Sequence, residues 1–323
     1  MVAPNDGQGT AQESRKIWFD MNIAAKNSVP EATTERVSLS PALAVVLLAM
    51  GAVAMGISPV FVRYAETGPF ASAFWRVFLA IPILCLWAWL EAGRNWPGLR
   101  FTRPVILAGL FFAGDLLFWH LSILKTTMAN ATLMACLAPV WVVILSGAII
   151  GEPVHRRSIL GLAICLAGAA LLIGSSYRID ATRLAGDLFG LATSFFFGLY
   201  FLAVRVGRRS MQGGHITLLT TIVTAALLLM VAIASGDVLF PQTARGYGAL
   251  AALGMISHAG GQGMLALALG ALSAVFSSLV IYIEALAGAT FGWVFFDETM
   301  GPMQLAGAAL ILSGLWVARP RGE

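Results

Sequence analysis

Ten runs of mostly apolar residues fill the chain between residues 41 and 318, and each is close to the ~20 residues that a helix needs to cross a bilayer. They fall at about 41–62, 69–90, 104–124, 127–150, 158–174, 186–206, 215–235, 247–269, 271–295 and 302–318. Residues are 59% hydrophobic and 11% charged, far from the roughly 25% charged residues of a soluble domain. A water-soluble core cannot hide so many such runs. The expected fold is therefore an all-α polytopic membrane protein of ten transmembrane helices, with the lipid bilayer as its first partner.

The second half repeats the first. Glu152-x8-Gly161-x6-Gly168 recurs 146 residues later as Glu298-x8-Gly307-x6-Gly314, and Gly56 with Arg63 recurs 142 residues later as Gly198 with Arg205. The uncharged stretch Leu269-Gly270-Ala271-Leu272-Ser273 then reads as a break between two helices, because it corresponds to Leu124-Lys125-Thr126-Thr127. Five crossings per half is an odd number, so the halves enter the membrane from opposite sides as an inverted repeat. Such repeats suit secondary transporters, whose similar halves exchange shapes around a midplane site. The expected domains are a disordered tail at 1–40, one five-helix repeat at 41–176 and a second at 186–318.

Lys and Arg give the orientation. Arg94, Arg100, Arg103, Arg156, Arg157, Arg205, Arg208 and Arg209 share the side of the N-terminus, whereas Arg63, Lys125, Arg178, Arg183 and Arg245 face the other. Both termini are thus expected in the cytoplasm, with the Glu152 loop inside and the Asp297-Glu298 loop outside. The net charge of +4 is spread over these loops rather than gathered on one face, so no nucleic-acid partner is expected. The tail is polar and has no apolar h-region before Ser40, which excludes a signal peptide reading. Cys85, Cys136 and Cys165 lie within apolar runs, and no Cys or His pair has metal-site spacing, so neither disulfide nor metal nor other cofactor is expected. The paired glycines read as seams of close helix packing.

Ionisable groups inside apolar runs are costly and mark candidate sites. Asp115 lies near the middle of the third run, Glu284 near the middle of the ninth, His258 in the eighth and Arg76 in the second. Phe112 and Trp119 flank Asp115 at i−3 and i+4 on one helical face, a carboxylate between aromatic rings that suits a cationic or zwitterionic substrate. The alternative is a packing role in which Asp115 pairs with Arg76. Arg76 itself either holds an anionic group or snorkels to the interface. Glu284 has no carboxylate counterpart at Ala138, which favours function. His258 is either a hydrogen-bonded helix contact or a proton relay. Pro59, Pro82 and Pro139 should kink their helices. An enzyme is not expected, because Asp115 and His120 stand five residues apart, ~140° around a helix, with no nucleophile beside a base.

Ala138-Pro139-Val140 with Gly151-Glu152, and Tyr282-Ile283-Glu284-Ala285 with Asp297-Glu298, resemble the paired EamA domains of the drug/metabolite transporter superfamily. The resemblance covers about residues 41–318. It implies ten helices in the cell inner (plasma) membrane and a central cavity lined mainly by helices 1, 3, 4, 6, 8 and 9. Members often carry proline after the helix-9 glutamate; Ala285 stands there in this chain, so no helix-9 kink is implied. The family includes exporters of amino acids and other metabolites, and uptake carriers for vitamins or nucleoside-like compounds. The expectation by analogy is alternating-access, proton- or gradient-coupled export of an amino-acid-like or aromatic metabolite, with protons the candidate coupling ion; the alternative is an uptake carrier for a vitamin, nucleoside-like or cationic compound.

Overall fold

A computed structural model describes residues 39–174, 181–296 and 301–319. The tail, Arg178 and the Asp297-Glu298 pair lie outside the described residues. Among those described, regular structure is entirely helical. Nine helices are long and apolar enough to cross a membrane: α1 (Pro41–Tyr64), α2 (Pro69–Ala92), α3 (Arg103–Lys125), α4 (Asn130–Ile150), α5 (Arg156–Gly174), α6 (Leu184–Gly207), α7 (Gly213–Ser235), α8 (Ala244–Ala268) and α9 (Ala274–Phe296). The shorter apolar α10 (Pro302–Ala318) completes the ten expected spans. The break expected near Gly270 is present, and Ser273 caps α9 by accepting from Phe276 N. Exposed Leu86, Trp89, Ile144, Ile233, Trp293 and Trp316 form an apolar outer surface, the reverse of a soluble protein.

The prolines act as expected. α1 divides at Ile57, α2 at Leu79–Ala80 and α4 at Cys136–Leu137, each with a proline in the first turn of the segment that follows. Proline cannot donate to the carbonyl four residues back, and its ring crowds that turn. α9 also divides, at Ile281, although no proline lies there. Tyr282 at this break donates its hydroxyl to Cys136 O at 2.8 Å, so one interrupted helix satisfies a carbonyl released by the other. α8 widens to a π-helix over Leu253–Gln262.

The packing is twofold. α3 lies on α6 as α8 lies on α1, α4 lies on α6 as α9 lies on α1, and α2 with α7 and α5 with α10 form reciprocal pairs. Four glycines make the α5–α10 crossing: a Cβ on Gly161 would come 2.7 Å from Gly314 O, and one on Gly168 would come 2.7 Å from Gly307 O. The repeat exchanges these two contacts. A Cβ on Gly56 would likewise meet Glu284 O and Ala287, and one on Gly198 would meet Ala138 O and Trp141, which are the equivalent positions of the other half.

Carboxylates close the helix ends. Glu91, at the end of α2, accepts from Gly213 N and Gly214 N at the start of α7, at 3.1 and 2.6 Å. Asp237, just past the end of α7, accepts from Phe70 N and Ala71 N at the start of α2, at 2.7 and 2.9 Å. Each satisfies amides that no helical carbonyl reaches and meets the positive end of the helix dipole. Glu66 does the same before α8, accepting from Thr243 Oγ1, Thr243 N and Gln242 N. The Thr243 hydroxyl leads in holding that carboxyl below its usual range. Its contribution is therefore present at neutral pH and lost as pH falls through the lowered value.

The glycine seam gives a direct test. Gly168→Val should lower the melting temperature in detergent, because its Cβ would lie within 3.0 Å of Gly307 O and Ile311, an overpacking worth about 1–3 kcal/mol. Gly147→Ala, whose Cβ meets nothing nearer than 3.9 Å, should be neutral or slightly stabilising. Equal melting of the two variants would contradict the seam.

Candidate functional site

Three of the helix interruptions meet at one place. Met55, Gly56 and Ser58 at the α1 break, Ala135 and Cys136 at the α4 break, and Ile281 and Glu284 at the α9 break all line a cavity of about 520 Å³. That size suits a small metabolite. Interrupted helices at membrane depth are tolerated where the freed backbone faces a cavity or buried protein. Glu284 sits in the first turn of the segment after the α9 break, with its own N–H bonded to Ile281 O at 2.8 Å. A carboxylate there is favoured by the amide end of its helix.

α3 supplies Phe112, Asp115 and Trp119 from one face, and all three reach the cavity together with Arg76 of α2. Asp115 is 8% exposed. The Arg76 guanidinium lies within electrostatic reach of Glu284 and Asp115. Among the described residues neither carboxylate forms a close ion pair with it, and Arg76 Nε is buried without a hydrogen-bond partner. Arg76 faces the chamber rather than snorkelling, and the Asp115–Arg76 packing pair does not form. One guanidinium and two carboxylates, none consumed by a neighbouring side chain, are left to meet something in the cavity.

His258 takes a different place. It is absent from the lining, 1% exposed, with its ring 5.4 Å from Phe112 and Nε2 2.8 Å from Thr221 Oγ1. It stands behind the wall as a hydrogen-bonded helix contact. Thr193, Phe197 and Gln262 are lining residues that the charge-based search passes over. Gln262 had a signal, an amide in the middle of an apolar run; it accepts from Tyr200 Oη at 3.1 Å and points its amide nitrogen at Met55 Sδ. Phe197 lies parallel to Tyr200, with ring centroids 6.0 Å apart. No trio of His, Cys, Asp or Glu fit to hold a metal occurs among the described residues.

The chamber reaches one membrane face. Its upper lining comes from the C-terminal ends of α1, α3, α5 and α9, at Arg63, Trp119, Ile173 and Phe296, and from the N-terminal parts of α4 and α10, at Thr132 and Gln304. Arg63 lies 4.0 Å over the Phe296 ring at that mouth. Toward the other face the path is filled. The N-terminal part of α9 is buried there, at Val275, Phe276 and Leu279, and beyond it Arg205 pairs with Glu152. The lining comes from the six expected helices, with additions from α2, α5 and α10.

Known proteins agree with this architecture. The family model described as "EamA-like transporter family" matches residues 42–174 and again 184–319. The chain is 26% identical over 216 residues to a pseudopaline exporter of Pseudomonas aeruginosa, which covers 65% of this chain and 72% of that protein. It is 26% identical over 274 residues to an uncharacterized transporter of Archaeoglobus fulgidus, covering 84% of this chain and 94% of that one. One crystal structure superimposes with a TM-score of 0.75 at 20% identity, over 86% of this chain and 98% of the other, a likeness of fold.

The cavity should be blocked by bulk alone. Gly288 lines it, and a Cβ there meets only Gly56 O, at an ordinary 3.6 Å. Gly288→Leu is expected to keep its melting temperature within about 2 °C, since the backbone accepts the residue and helix propensity improves. Saturable uptake into proteoliposomes should fall by about tenfold or more. Unchanged uptake would place the pathway elsewhere.

Proposed function

The chain belongs to the EamA-like transporter family, and on that premise we propose that it is an alternating-access secondary transporter. It exports amino-acid-like or aromatic metabolites across the cell inner membrane, coupled to protons or another gradient. The observation that carries this reading is the gathering of Arg76, Asp115 and Glu284 in one chamber with Phe112, Trp119 and Phe197. A substrate carboxylate pairs with the planar Arg76 fork. Its ammonium meets Asp115 or Glu284, and an apolar or aromatic part lies against the rings. Two carboxylates against one guanidinium leave room for a further cation. A proton and a substrate ammonium then compete for the same acids, which is the exchange that coupling requires.

Two observations support this reading. A relative is named as an exporter, and the loop arginines favour a cytoplasmic N-terminus. In that orientation the chamber opens outward and Glu152 lies at the closed cytoplasmic mouth. Both termini are then cytoplasmic, as an even number of spans requires.

Counterflow of a substrate panel in proteoliposomes carrying an internal pH dye tests the assignment. Saturable exchange of one metabolite class is expected. Asp115→Asn should lower it by at least about tenfold, the scale of a lost charged hydrogen bond, while the protein remains folded and inserted. Glu284→Gln should abolish the dye response. Wild-type exchange by both variants would refute the site, and exchange without any dye response in the wild type would refute proton coupling.

A further inference from the structure

The closed mouth is held by one side chain that touches two elements. Glu152, in the turn between α4 and α5, is 14% exposed; its Oε1 accepts from Arg205 Nε at the end of α6, and its Oε2 accepts from Ala274 N at 2.9 Å, the first residue of α9. Arg205 extends the tie by donating through its Nη1 to Leu269 O just past the end of α8 at 2.6 Å. Arg209 donates to Ile150 O at the end of α4. The ends of α4, α6, α8 and α9 are thus joined across the mouth through three charged groups.

We propose that Glu152 is a charge latch that holds this mouth shut and opens when the carrier exchanges states. The first support is position. Arg205 meets Glu152 at the end of the bundle opposite the open mouth, which Arg63 and Phe296 line. The second is leverage. α9 carries Glu284 and lines the cavity from Ile281 to Phe296, and the latch grips it at its first amide. Movement of α9 at that end requires the Ala274 amide to leave Glu152. The third is economy of contact: both carboxylate oxygens are used, so loss of the charge frees α6 and α9 together. The inference rests on alternating access but needs no substrate.

Cysteine labelling of the purified protein in detergent reads both mouths at once. Ser278, fully buried on α9 between Ala274 and the cavity, reports the sealed side as Ser278→Cys. Native Cys136 lines the cavity and reports the open side. The remaining native cysteines are replaced by alanine in each protein. Glu152→Gln and Arg205→Gln should each raise maleimide labelling at position 278 by about tenfold, the scale of a lost charged hydrogen bond, and lower labelling at Cys136. Glu152→Asp, which keeps the charge, should retain most of the protection. Unchanged labelling at 278, a rise at both positions, or a rise at 278 without a fall at 136 would overturn the latch. Counterflow separates the failures: exchanged labelling with no transport of any panel compound removes the substrate assignment alone, and normal counterflow with unexchanged labelling removes the latch alone.

Discussion

A peptide group without a partner in hydrocarbon costs several kcal/mol, and most of the distinctive features of this protein are answers to that cost. Regular helix satisfies the spans. Where proline interrupts the ladder in α4, Tyr282 supplies a hydroxyl to Cys136 O. Where helices begin, Glu91, Asp237, Glu66 and Glu152 supply acceptors to the first amides of α7, α2 and α9 or to the amides just before α8. These acids come from neighbouring helix ends or loops, so satisfying the backbone also fixes which helices are neighbours. End capping and tertiary packing are one interaction here.

The frame is twofold but its chemistry is single. Glycine contacts between α5 and α10 exchange with one another, and the Gly56 and Gly198 approaches involve equivalent residues. Within that frame Glu284 faces the cavity where the other half has Ala138. The carbonyl of Asp115 accepts from Thr193 Oγ1, and in the other half the corresponding approach is glycine to glycine, Gly51 to Gly261. Trp141 stands against Gly198 where Ala287 meets Gly56. Duplicated backbone therefore provides two related packings, and unduplicated side chains decide the charge of the chamber. A site with both carboxylates doubled would place four acids around one guanidinium, more negative charge than the interior could hold.

Length and apolarity made the spans legible to within a few residues, because the bilayer thickness is a hard external ruler. The repeat was legible because glycine and charged loop residues survive where lipid-facing residues are interchangeable. Five of the six candidate site residues meet in the chamber, since a charge at membrane depth has few other places to go. His258 does not: it is buried behind the wall, with its Nε2 against the Thr221 hydroxyl. Thr193 and Phe197 were illegible for the opposite reason: uncharged residues are common on every helix face, and only packing tells lining from lipid contact. The α9 break was missed because no proline marks it; the break at Ile281 is accompanied by the Tyr282 bond to a helix from the other repeat.

Alternating access asks for two states close in free energy, since a ligand can shift an equilibrium only by its differential affinity for the two. An inverted repeat supplies the near-degeneracy, because each state is approximately the other with its halves exchanged. What remains is the set of side-chain contacts at the mouths. A charged hydrogen bond contributes about 1.5–3 kcal/mol, enough to populate one state by roughly ten- to a hundredfold yet within the reach of the substrate proposed above, which would meet three charged groups. Contacts of this size at a mouth, rather than in the glycine seams, leave the scaffold rigid while the access path changes. The seams hold backbone against backbone and have no second arrangement available; the mouths hold side chains against helix ends, and those can be released one at a time.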